Sequence, residues 1–193
     1  MRRSKVEKTV RSAKHQFDRE KFKEAILFIA SYCPRAELGN VKLHKILYFS
    51  DMLFFLQEGR PLTGAEYVKQ KFGPVARHLT AAIAELASEG RLTVTEEDYF
   101  GLSKKSYVPR EAFNKTRLSD TEIALITEVA DYVRGRSAKE ISELSHTAVW
   151  EAAELGEPLP YFTALRLVPT EFTDADRTWA IEAAREHATQ RSF

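Results

Sequence analysis

His44, Tyr48 and Asp51 stand at i, i+4 and i+7. A helix through them lines an imidazole, a phenol and a carboxylate along one stripe. Such a stripe could act as a His–carboxylate acid–base pair or as a polar strip that meets a partner. Its plainer reading is the one wet face of a helix buried elsewhere. Ser50 does not complete a triad, because on the helical wheel it points roughly 120° away from His44. The five histidines, His15, His44, His78, His146 and His187, form no i, i+3 or i, i+4 ligand pair. The single cysteine, Cys33, excludes an internal disulfide and a cysteine-based zinc site, and it reads as a small buried hydrophobe. His146 precedes Trp150 by four residues, as a packed structural pair would. Phosphate-loop, dinucleotide, zinc-protease and nucleophile-elbow motifs are missing from the sequence. No catalytic residue, metal or cofactor is therefore expected.

The elements that carry these residues follow from periodicity and punctuation. Phe22, Ala25, Ile26, Ile29 and Ala30 predict an amphipathic helix over 17–33. Asn40 is suited to cap a helix over 41–58 that is apolar nearly all round, hence central. Pro74 suits a first helical position, and Leu79, Ile83 and Leu86 extend that helix to Ser88, with Gly90 as its stop. The pattern then changes to strands at 92–95 and 106–108, a hairpin with a long charged tip over 96–105. Ser119 with Glu122 and Ser137 with Glu140 have capping-box spacing and start helices over 120–134 and 138–145. A short helix is expected at 147–155 and another at 174–190. The sum is a mainly α (α+β) fold, a compact helical domain with one small β-hairpin after the third helix. Its organisation is a basic helical extension over 1–16, a helical domain over 17–165 and a helical tail over 166–193.

The chain has 193 residues, 44% hydrophobic and 30% charged, the mix of a globular protein able to bury a core. Neither a membrane-spanning run nor a secretory signal is recognisable, so a cytoplasmic location is expected. The net charge of +1 conceals an asymmetry. Residues 1–23 hold nine Lys/Arg against three acids, including Arg2, Arg3, Lys5 and Lys8, whereas 118–165 hold three against nine. Lys104, Lys105, Arg110, Lys115 and Arg117 form a second basic group near the hairpin. These features could meet nucleic acid, an acidic partner or the chain's own acidic surface. The helix–helix–hairpin order is also that of a winged helix. Yet the candidate recognition helix offers only Arg77 and His78 as base readers, with Ala81, Ala82 and Ala84 at its middle.

The stretch Lys42-Leu43-His44-Lys45-Ile46-Leu47-Tyr48-Phe49-Ser50-Asp51 resembles the KLxKLLYxAD signature of the Panacea, or SocA-like, antitoxin domain. Gly59-Arg60-Pro61-Leu62-Thr63-Gly64 and Phe72-Gly73-Pro74-Val75 follow at the family's distances. Leu118-Ser119, the run Ser137 to His146, Trp150, and Gly156 to Tyr161 match its C-terminal half. The resemblance covers about 22–162. Ser50 departs from the usual small apolar residue, and His44 fills an open position.

The resemblance implies a bacterial or phage-associated antitoxin that neutralises a protein toxin by direct binding, in some members by presenting it to a protease, with a chaperone as a further partner. A nucleic-acid-binding regulator is the alternative. No membrane partner is expected. Candidate partner-binding residues are His44, Tyr48, Asp51, Lys104, Lys105, Arg2, Arg3, Lys5 and Lys8. Lys42, Leu43, Leu47, Gly59, Pro61, Leu62, Gly73, Pro74, Ser145, His146 and Trp150 are read as architectural.

Overall fold

A computed structural model describes residues 15–99 and 102–167. The order is α1 (Arg19–Tyr32), α2 (Asn40–Glu58), β1 (Tyr67–Gln70), β2 (Gly73–Ala76), α3 (Leu79–Ser88), β3 (Leu92–Tyr99), β4 (Leu102–Pro109), α4 (Asp120–Arg134), α5 (Ala138–Leu144), α6 (Ala148–Ala152) and a 3-10 helix (Tyr161–Leu167). This is a mainly helical α+β architecture. Among the described residues, no helix is long and apolar enough to cross a membrane.

α2 is the axis. Leu43, Ile46, Leu47, Met52 and Phe54 are all buried. The helix packs against α1, α4, α5, β2 and the 3-10 helix, so nearly every side of it has a neighbour. That is why its sequence shows so narrow a polar strip. Its start is one residue earlier than expected, and Gly39 occupies the cap position with no side-chain bond. Asn40 is used differently, accepting a hydrogen bond from the Tyr107 hydroxyl at 2.8 Å. The helix ends on Gly59 in the left-handed region, at φ 69°, a conformation that costs glycine little.

The expected helix from Pro74 to Ser88 is shorter, starting at Leu79. Gly73–Ala76 instead form a strand pairing antiparallel with Tyr67–Gln70. A second hairpin thus precedes the anticipated one. Lys71 and Phe72 form its turn, and Gly73 takes φ 97° at the return. Pro74 fits because, opposite Lys69, its backbone polar groups point away from β1, its carbonyl to Lys45, so no ladder N–H is required there. The opposite edge of β1 is covered by 156–159, through Lys69 N–H to Glu157 O (3.0 Å) and Leu159 N–H to Tyr67 O (2.8 Å).

The anticipated hairpin is also longer than its composition implied. The ladder extends through Glu96↔Lys105 and Glu97↔Lys104, where an acidic strand lies opposite a basic one. Both capping boxes form as read, Ser119 with Glu122 and Ser137 with Glu140. His15 packs edge-on against Phe55 and Tyr161, so the body includes residues assigned to the N-terminal extension. Residues 1–14 and 168–193, with the helices expected there, lie outside the described residues.

Candidate functional site

The polar residues of α2 converge on the segments that wrap it. Lys42 donates from Nζ to Arg134 O at 2.9 Å, closing the C-terminal end of α4. His44 Nδ1 accepts the Ala76 N–H at 3.2 Å. Lys45 Nζ donates to Pro74 O at 3.0 Å. Two successive helix residues thus satisfy the outer edge of β2, a donor and an acceptor that an isolated two-stranded ribbon would leave open.

Asp51 anchors the next segment. It is 1% exposed. It accepts from Thr63 N–H at 2.6 Å, from Thr63 Oγ1–H at 2.5 Å and from the Tyr67 hydroxyl at 2.8 Å. Burial raises its pKa, and these donors oppose the rise by stabilising the carboxylate. Gly64 follows at φ 71°, with the Gln16 backbone so near that a β-carbon there would lie 2.4 Å from the Gln16 oxygen. Tyr48 is also 1% exposed, and burial pushes its phenol up to about 12.

The stripe of His44, Tyr48 and Asp51 is therefore an internal clamp, not a wet face. The structure brings Asp51 together with Thr63 and Tyr67, and His44 with β2. It does not place His44 and Asp51 as a hydrogen-bonded pair. Burial, and then the charge of Lys45, lower the His44 pKa to about 4. This imidazole is neutral at physiological pH and is poorly suited to accept a proton.

Lys45 is the residue that spacing alone did not single out. Its signal was a cation beside His44 in the otherwise apolar run Leu43 to Phe49. It is 1% exposed, and burial lowers its pKa to about 7. Gly73 admits it: a β-carbon there would sit 2.4 Å from both Lys45 Nζ and Ser145 Oγ. Ser145 is buried and donates to Ser142 O at 2.7 Å, fixing the end of α5. His146 and Trp150 stack at 3.7 Å between ring centroids, with the Lys69 ammonium 4.4 Å from the Trp150 ring. Leu43, Leu47 and Leu62 lie in the core. Pro61 is buried as well.

The other candidate residues lie apart from this clamp. Lys104 reaches Ala36 O beside α2, and Lys105 pairs with Glu96 at 3.7 Å across the hairpin. Arg2, Arg3, Lys5 and Lys8 lie outside the described residues. Just before α3, Arg77 pairs with Glu66 at 3.4 Å, and His78, at the helix's N-cap, stacks on Phe17 at 4.4 Å. Both of the residues considered as base readers are thus engaged within the body. Cys33 is buried, with its thiol pushed up to about 11 by desolvation.

The family model described as "Antitoxin SocA-like, Panacea domain" matches residues 43–151. The match spans more than half of the chain, from α2 through α6, and the protein belongs to this family. Searches of curated proteins and of solved structures return no match.

Proposed function

We propose that this protein is an antitoxin that neutralises a protein toxin by direct association, without chemistry of its own. Family membership supports the class of function. The observation that carries the mode of action is the use to which α2's polar groups are put. Lys42, His44, Lys45 and Asp51 are all engaged by backbone or side-chain partners within the body. A group held in this way positions surface segments rather than meeting a substrate.

The surface for association then lies outside the clamp. Candidates are the β3–β4 hairpin with Lys104 and Lys105, the basic segment containing Arg2, Arg3, Lys5 and Lys8, and the acidic stretch 120–157. Binding by occlusion and delivery to a protease both begin with this complex. The test is co-expression with the product of the neighbouring gene. Restored growth with a copurifying complex is expected. Toxin levels then separate the two modes: an unchanged half-life marks occlusion, and a shortened one marks delivery.

A further inference from the structure

A shallow, open basic cleft of about 580 Å³ lies where α1, the end of α2 and the segment leading into α4 meet. Lys21, Arg60, Lys115 and Arg117 line it, with Asp120 and Glu122 as its acids. Glu122 lies at its base, 2% exposed. Its carboxylate is shared between the Lys21 ammonium, the Ser119 N–H at 2.9 Å and, more distantly, Arg60 at 3.8 Å. The buried acid is thus already compensated. Lys115 and Arg117 are exposed and have no ion-pair partner among the described residues.

The backbone that carries Lys115 and Arg117 is fixed. Asn114 N–H donates to buried Glu24 at 2.7 Å, and Thr116 N–H and Arg117 N–H return to Asn114 at 3.0 and 3.1 Å. Arg60 lies 4.9 Å from the Phe54 ring. A fixed turn and a stacked guanidinium spend less ordering entropy on binding than free side chains do. Residues 1–14, with six Lys/Arg against one Glu, join the body at His15. The His15 ring packs on Phe55, one turn before the end of α2 that Arg60 follows.

We infer that this cleft is the docking site for an acidic segment, rich in Asp and Glu, of the toxin. This rests on the antitoxin reading and specifies its contact. Arg60 and Arg117 can each take a carboxylate in two-point fashion, and Lys115 adds a point charge. A nucleic acid fits less well. No aromatic ring lines the cleft to stack a base. The Ser119 and Glu122 N–H groups, which could cradle a phosphate, are consumed by the capping box.

The experiment uses the full chain and the charge-reversed variant Arg60→Glu/Lys115→Glu/Arg117→Glu, with melting temperature and circular dichroism as the folding check. The neutral triple alanine variant serves if the reversed one unfolds. One arm measures toxin capture and rescue. The other measures binding of a fluorescein-labelled hepta-glutamate peptide at low salt, with inorganic phosphate and a single-stranded oligonucleotide as competitors. The inference expects a tenfold or greater loss in both arms, and weak competition from phosphate and oligonucleotide. Wild-type rescue that the folded variant retains would overturn the cleft and leave the antitoxin reading standing. Absence of wild-type rescue would overturn that reading, and with it the toxin as occupant. Failure of the peptide to bind, equal binding by the variant, or displacement by the oligonucleotide at lower concentration would each refute the acidic-segment assignment.

Discussion

Lys45 donates to the carbonyl oxygen of Pro74 across 3.0 Å in the protein interior, with 1% of its surface exposed. Among the described residues no carboxylate pairs with it. The ammonium is held by a neutral acceptor, and desolvation lowers its pKa to about 7. In the unfolded chain it titrates at about 10.4. Between those values the unfolded state binds the extra proton, so stability rises with pH across that window and is flat below about pH 7. Lys45→Met removes the desolvation cost and loses one hydrogen bond. We expect a gain of about 1–3 kcal/mol at pH 6.5, shrinking by pH 9.5. Urea melts at the two pH values check this, and a loss of stability at pH 6.5 would contradict it.

Gly73 should tolerate no side chain. At φ 97° it already occupies backbone space that other residues rarely adopt, and a methyl group would collide with Lys45 and Ser145. The lysine end can swing away, but the short Ser145 side chain cannot move far. Gly73→Ala should cost about 2–4 kcal/mol, read by denaturant melts. Adding Lys45→Met should restore only part of that loss.

Asp51 should matter for stability more than for surface recognition. Asp51→Ala leaves the Thr63 N–H and the Tyr67 hydroxyl without their buried acceptor. The expected cost is about 3 kcal/mol or more. Asp51→Asn should cost less, because one amide oxygen still accepts. Hydrogen exchange should locate the loosening at 62–67, with the amide of Thr63 losing most protection.

His44 should remain neutral down to mildly acid pH. Its Nδ1 accepts from Ala76, which places the ring proton on Nε2. Its folded pKa of about 4 lies below the ordinary value of 6.5. The unfolded state therefore binds the extra proton between these values, and stability falls as pH drops from about 6.5 toward 4. Nitrogen-detected NMR of the imidazole should show the Nε2–H tautomer at pH 5.5. A charged ring at that pH would contradict the assignment.

The parts of the fold legible in sequence are those decided locally. Ser119 with Glu122 and Ser137 with Glu140 close their own helix starts, and both boxes form. The all-round apolar character of α2 similarly announced a central helix. The β1–β2 hairpin was not legible, because Pro74-Val75-Ala76 suits a helix start as well as an edge strand. Tertiary contacts decide it: Lys45 takes the Pro74 carbonyl and His44 takes the Ala76 N–H. The same long-range covering explains the polar stripe. Spacing placed His44, Tyr48 and Asp51 on one line but could not show that residues 61–67 and the 3-10 helix close over it. The family signature was readable as a pattern, and the hydrogen bonds give its polar members their physical roles.

The central claim is that the protein works by holding a toxin, and one measurement addresses it most directly. The chain is co-expressed with the product of the adjacent gene, and growth is scored alongside copurification at defined stoichiometry. The account predicts that cells survive, that the two chains elute together, and that raising the salt concentration weakens the complex. Survival without any complex, or a complex that leaves the toxin fully active, would contradict it.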